Sequence, residues 1–470
     1  MEKQVCWKKV FTGMTMILTL AAAGKDGKLE SAYDVTGKRE LFIDKFLIEK
    51  SRNISLKPHF PEELPCDPGK PCGDYLTLLK DPQQYWLFYR GNDSVYRGAR
   101  YNNHPGEFVG IARSADGIKW KLPALNRFPG KPVPVNTLFY GKEVITHNFV
   151  PFYDTNPDCK PEARYKAVAG VRETNGLFAY YSADCIHWKP YGNNPVIAYE
   201  PQKSGGHMLD SQNSVFYSEC EKCYVMYIRV WKTADGLTGL RSFAKVTSKD
   251  FLHWSEPEFL KVNRKGEHLY VSGLAPYARA PHIYAGAATR YFGDRGSATD
   301  VTMIFSRAGQ GIARPCPGAW IRPGLDNKRW LDRMNYIARG LVLKDGKEML
   351  MYHGRKNLMY KFRIDGFVSL SSDGLQSGSV LTRVLSRRRG GLELNLSTSA
   401  GGFIQLEVCD ESGKPVPGYT FKEMKPFWGD RICWEPEWNG KKFSALPAGK
   451  FRLHIKMMEC DLFSINFPEK

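Results

Sequence analysis

The chain has 470 residues, 67 basic against 49 acidic side chains for a formal net charge of +18, and 11 cysteines. That length suits two or three ordinary domains, or one large β-domain with an appendage. The positive field favours anionic partners, but its residues are scattered: Arg387-Arg388-Arg389 is the one dense run, and no zinc-finger, helix-turn-helix or RNP pattern is present, which excludes nucleic acid as the expected partner.

Residues 1–23 read as a signal peptide. Lys3, Lys8 and Lys9 precede a mostly apolar run from Val10 to Leu20, and Ala21-Ala22-Ala23 supplies small residues for cleavage. The run is shorter than the roughly 20 residues that span a bilayer. The expectation is a secreted or periplasmic protein without membrane insertion. Export permits disulfides, so Cys66/Cys72 and Cys220/Cys223, each bracketing a turn, are expected as staples in preference to free thiols.

From there a phrase recurs: SADGIKW at Ser114–Trp120, SADCIHW at Ser182–Trp188, SKDFLHW at Ser248–Trp254, and a degenerate copy from Ser306 to Trp320. The tryptophans are 68, 66 and 66 residues apart, a fixed period that marks a repeat architecture. The first three units each carry four runs rich in Val, Ile, Tyr, Phe and Thr, bounded by Gly, Asp or Pro, and a fourth offers two, RAPHIYAGAATRYF and TDVTMIFS. A fifth unit near MNYIARGLVLKDG, EMLMYHG and MYKFRIDGFVSL has three such runs, leaving a place for an N-terminal strand, LFIDKFLIE at Leu41–Glu49. Closing the ring this way removes its free edges. After about residue 385 the period stops and five alternating segments follow. The predicted fold is therefore all-β: a five-bladed β-propeller over 24–385, closed by an N-terminal strand, then a small antiparallel β-sandwich over 386–470.

This pattern resembles the five-bladed propeller glycoside hydrolases of the invertase and arabinanase superfamily. More closely it is similar to secreted bacterial proteins described as glycosyl hydrolase family 32 N-terminal-like. The matching stretches are LFIDKFLIE (41–49), HNFVPFYDTNP (147–157), DSQN (210–213), TSKDFLHW (247–254), RAPHIY (279–284), RPGLD (322–326) and RIDGFVSL (363–370). The likeness runs from about residue 40 to the C-terminus and implies a carbohydrate-active protein. In that group the residue before the first turn is often acidic; here it is Arg113.

Propeller ligands sit over the central channel, where innermost strands begin and second strands end. Innermost strands are expected to bring Asp67 or Asp74, His147, Asn148, Asp210, Gln212, Asn213, Arg279, His282, Arg333 and Asn335 to that mouth. Second strands add Arg90, Asp93, Arg172, Glu173, Arg229 and His353. Glycoside hydrolysis needs two carboxyl groups flanking the bond. Asp210 is the first candidate and Asp67 or Asp93 its expected partner, with Asp74 and Glu173 competing. Arg90, His147, Asn148, Gln212, Asn213, Arg229, Arg279, His282 and Asn335 are the expected substrate-binding set. Trp231 and Tyr284 are read as sugar-stacking or core residues. Asp116, Asp184 and Asp250 read as turn residues.

The expected activity is cleavage of glycosidic bonds in an oligo- or polysaccharide by paired carboxylates, with an anionic glycan as the hypothesised substrate. A glycan phosphorylase and a non-catalytic carbohydrate-binding propeller are the alternatives. No cofactor and no metal are expected, for want of any strict ligand spacing.

Overall fold

The computed structural model describes residues 32–316 and 318–469, so the expected signal peptide lies outside the described residues. Five antiparallel modules, three of four strands and two of five, follow one another in ring order. Blade one is Asp74–Lys80, Tyr85–Asn92, Glu107–Ser114 and Thr137–Tyr140. Blade two is built on Val150–Tyr153, Tyr165–Val171 and Gly176–Ser182, and blade three on Ser214–Ser218, Cys223–Lys232 and Thr238–Ser248. Blade four holds the long pair Ala280–Phe292 and Ala298–Arg307, with His268–Leu269 and Ala275–Tyr277 on its inner edge. Among the described residues no helix is long and apolar enough to cross a membrane.

The recurring phrase is the turn from the third strand to the fourth. Ser114, Ser182 and Ser248 each accept, through Oγ, the backbone N–H three residues on, at 2.9, 3.0 and 2.9 Å. The following Asp then accepts two further N–H groups; Asp116 takes those of Ile118 and Lys119 at 2.8 and 2.9 Å. The residue after that Asp is left-handed in all three copies: Gly117 at φ 74°, Cys185 at 67°, Phe251 at 73°. Only the first copy uses glycine, whose lack of a Cβ suits that conformation. Cys185 and Phe251 are fully buried, and packing offsets their backbone strain.

Blade five is Val342–Lys344, Glu348–Tyr352 and Leu358–Arg363, completed by Glu62–Pro65. An N-terminal strand does close the ring, but it is not Leu41–Glu49. Arg39–Leu41 pairs instead with Gly449–Asn466, and Ile48–Arg52 with Gly378–Thr382. Leu41, Phe42, Ile43 and Leu47 are all at most 2% exposed. An outer strand could not bury such an apolar run. Glu62, Glu63 and Pro65 face solvent as an outer edge requires, and proline is tolerated there.

The sandwich draws on both ends of the chain. Its spine is Glu393–Cys409 against Gly449–Asn466. Val368–Ser372, Gly378–Thr382 and Leu385–Arg387 also join it, so its strands begin well before residue 386. Its core gathers Leu394, Leu406, Trp438, Leu453 and Ile455, with Val35 and Phe42 from the N-terminus.

All ten described cysteines are free thiols, against the expected staples. Cys72 Sγ lies 3.0 Å from Asn357 Oδ1 instead of bridging to Cys66.

Candidate active site

Two side chains cross the central channel and divide it. Gln212 Nε2 reaches from blade three to Thr77 Oγ1 of blade one at 2.6 Å. Arg339 reaches from blade five to Ser214 Oγ and Val215 O, at 2.5 and 2.8 Å. Toward the far end lies a mainly apolar cavity of about 350 Å³ that includes Phe152, Phe216, Pro276 and Phe367. At the other end is a charged mouth.

On the blade-one side, Arg90 donates to the His147 ring at 3.1 Å and to Asn148 Oδ1 at 3.3 Å. Its guanidinium sits 3.7 Å from Asp74 and 4.7 Å over the Tyr75 ring. Arg355 donates to the other Asp74 oxygen at 2.5 Å. His147 Nδ1 is 2.6 Å from Glu107 Oε2. Burial pushes the Asp74 carboxyl upward, but Arg90 and Arg355 outweigh it and hold Asp74 below the usual range. Glu107 behaves likewise: burial raises it, while His147 and Arg90 bring it down. Burial, with Arg90 beside it, lowers the His147 imidazole. This is a closed set of charges.

On the side of blades two and three the set is open. Asn102 Nδ2 donates to Asp210 Oδ1 at 3.0 Å and to Glu173 Oε2 at 3.3 Å. The shared donor keeps the nearest oxygens of those two carboxylates no more than about 6.3 Å apart. Arg172 Nε donates to Glu173 at 2.7 Å. Arg229, 1% exposed, donates through Nη1 to the Asp210 backbone carbonyl at 2.9 Å. Its Nε and Nη2, and the Nε of Arg241, are buried without a hydrogen-bond partner among the described residues. Both guanidinium groups rest on aromatic faces: Arg229 is 4.8 Å over Tyr270, and Arg241 is 4.0 Å over Tyr291 and 4.8 Å over Trp231. Burial, reinforced by Arg229, lowers Arg241. Burial and the neighbouring arginines also lower His207 and His268.

Three residues where innermost strands enter from the mouth are left-handed: Tyr75 at φ 52°, Asn148 at 54° and Leu209 at 63°. Conformations of this kind persist only where surrounding packing holds them.

The expected residues divide sharply. Asp210, Arg90, His147, Asn148 and Arg229 meet at the mouth, with Asp74, Arg172 and Glu173. Gln212 and Asn213 are buried girders: Asn213 Nδ2 donates to Ser211 O at 2.9 Å, and its Oδ1 accepts the Arg229 N–H at 2.9 Å. Asn335, fully buried, bonds to Thr299 and Arg329. Asp67 accepts the Trp120 and Gly69 N–H groups, and Asp93 accepts Tyr140 O–H and Val95 N–H. Both are occupied by turns. Arg113 lies at the outer end of its strand, in a bridge to Lys121, so its departure from the related pattern falls outside the mouth. Tyr284 is core, bonded to Ser218 and Glu221.

Arg279 and His282 require a correction. RAPHIY opens the second strand of blade four, and that end faces the sandwich. Arg279 pairs with Asp365 at 3.1 Å and His282 with Glu40 at 3.0 Å. Glu40, fully buried, is pushed upward by burial, yet His282 and Arg307 hold it at about 2. These residues bind the two halves of the molecule together.

Glu107, Asn102, Arg241, His268 and Tyr270 were not anticipated. Third strands also begin at the mouth, so Glu107 (opening Glu107–Ser114) and Arg241 (near the start of Thr238–Ser248) carried a usable signal.

No protein-family model matches the chain, and no curated protein matches it. Solved structures are similar in fold. A thermostable family-43 glycoside hydrolase aligns at TM-score 0.41 and 10% identity, over 67% of this chain and 96% of its own. The β-1,2-mannobiose phosphorylase from Listeria innocua aligns at 0.42 and 12%, over 66% and 98%. The GH32 β-fructofuranosidase of Bombyx mori aligns at 0.36 and 13%, over 87% and 94%.

Proposed function

We propose that the protein is an exported glycoside hydrolase that cleaves an anionic glycan at this mouth. The observation that carries the reading is the pairing of Asp210 and Glu173 on one amide beside two unmatched guanidinium groups. Asp210 protonates the leaving oxygen, and Glu173, held by Arg172, serves as base or nucleophile. Arg241, half-buried at the mouth, receives a carboxylate or sulfate of the sugar through charge-assisted hydrogen bonds, and the buried Arg229 beside it adds positive field. Trp231, Tyr270 and Tyr291 give the ring apolar faces to lie against.

A phosphorylase is the second reading, favoured by the same two arginines, which would then cradle inorganic phosphate. A panel of neutral, uronate-bearing and sulfated glycans, each with and without phosphate, separates these readings. Cleavage of acidic glycans without phosphate is the expected result. Strict dependence on phosphate would transfer the proposal to phosphorolysis, and turnover confined to neutral sugars would refute the anionic substrate.

A further inference from the structure

A second cluster lies in the sandwich, remote from the mouth. Glu407 and Cys409 stand two residues apart on Glu393–Cys409, so both project from one face of the sheet, opposite to core residues Leu406 and Val408. His454, on Gly449–Asn466, is the direct cross-strand partner of Glu407 and the diagonal neighbour of Cys409. One donor atom from each of the three lies within 4.8 Å of the others, and His454 Nδ1 is 2.8 Å from Glu407 Oε1. Glu407 is 7% and Cys409 1% exposed. The chain segment containing Phe421 covers them: its N–H donates to Glu407 Oε2, and its ring centroid is 5.0 Å from that of His454.

The nearby cations are engaged elsewhere. Arg452, opposite Cys409, donates to Glu411 O and Thr382 O at 2.9 Å each and pairs with Glu49. The Lys456 ammonium sits 4.2 Å over the Phe421 ring. Among the described residues, the ion pair that Glu407 makes is with His454. The pocket thus holds a buried carboxylate, a thiol and an imidazole, and the positive charges around it turn away.

We propose that Glu407, Cys409 and His454 form a zinc site whose fourth position is taken by water. Thiolate, imidazole and carboxylate together suit zinc, whereas magnesium and calcium prefer all-oxygen sets. An i, i+2 pair with a cross-strand neighbour supplies three ligands to one point, and the His454 side chain, 30% exposed, marks the open side. On binding, Cys409 gives its proton to solvent, and one thiolate and one carboxylate neutralise the dication. The bound ion would tie the two longest strands of the sandwich together.

Cobalt(II) is the probe, added to the full chain after chelator treatment and dialysis. The expected result is uptake of one equivalent, with a thiolate-to-cobalt charge-transfer band that zinc abolishes. Cys409→Ser should remove the band and His454→Gln should weaken uptake at least tenfold. X-ray absorption of the zinc-loaded native chain should show one sulfur neighbour beside nitrogen and oxygen ligands. That measurement decides the matter even where a variant does not fold. No uptake, a band retained in a folded Cys409→Ser, or a zinc shell with no sulfur or with more than one would overturn the site.

Discussion

Arg90 and Arg229 hold comparable places, each near the mouth end of a second strand, one in blade one and the other in blade three. Arg90 has Asp74 at 3.7 Å, the His147 ring and the Asn148 carbonyl around it. Arg229 has a backbone carbonyl, two aromatic faces and a second arginine. A buried cation with its counter-charge in place is scaffold, because removing either member strands the other. A buried cation without one keeps an unmet demand for an anion. The contrast makes the blade-one side the part that holds the mouth's shape, and under the proposed function the blade-three side is the part that receives substrate.

The largest expected effect tests the receiving side. Asp210→Asn should lower turnover about 10²- to 10⁴-fold while preserving glycan binding, measured by single-turnover kinetics and calorimetry; turnover at the native rate would remove Asp210 from the chemistry. Next, Arg90→Met should cost about 3–5 kcal/mol of stability by leaving Asp74 and Glu107 short of a partner, read from the denaturant midpoint. If the variant is as stable as the parent, the blade-one charges are not a closed set.

His353 extends the comparison to a buried group that avoids charge altogether. Burial and the surrounding Arg329 and Lys70 push its imidazole down to about 3. The unfolded side chain takes its proton near 6.5, so between those values the unfolded state binds more protons. Stability should therefore fall as pH drops through that window, by about 1.4 kcal/mol per pH unit. His353→Gln should flatten that slope in acid-unfolding curves, and an unchanged slope would show that His353 is not its source. The smallest stability effect belongs to Arg229→Met, expected to change folding by less than about 1 kcal/mol. Its affinity for acidic glycans should nonetheless fall roughly tenfold or more. Equal stability losses in Arg90→Met and Arg229→Met would erase the distinction between the two sides.

Much of the architecture is legible in the sequence. The SxDxxxW turns announced the blades because the hydrogen bonds that define them lie within six residues. Asp116, Asp184 and Asp250 could be set aside as turn residues for the same reason. The closing strand was not legible: Leu41–Glu49 has more strand character than Glu62–Pro65, and an apolar run marks burial without saying in which core. Arg279 and His282 were misplaced because RAPHIY looks like the start of an inner strand. The inner edge of blade four is instead interrupted, with His268–Leu269 and Ala275–Tyr277 preceding it.

Local order determined the rest of what the chain alone could declare: an all-β repeat, its period, its turns and a polar rim at strand ends. These depend on hydrogen bonds and alternation between near neighbours, which any short window of sequence displays. Whether a rim residue is girder, latch or left with unmet donors was decided only by the tertiary structure. Gln212, Arg279 and Arg229 are alike as polar side chains at predicted strand ends. They differ in what stands opposite, namely Thr77 across the channel, Asp365 toward the sandwich, and for part of Arg229 no acceptor among the described residues. Charge matching is a property of neighbours distant in sequence, and folding chooses those neighbours.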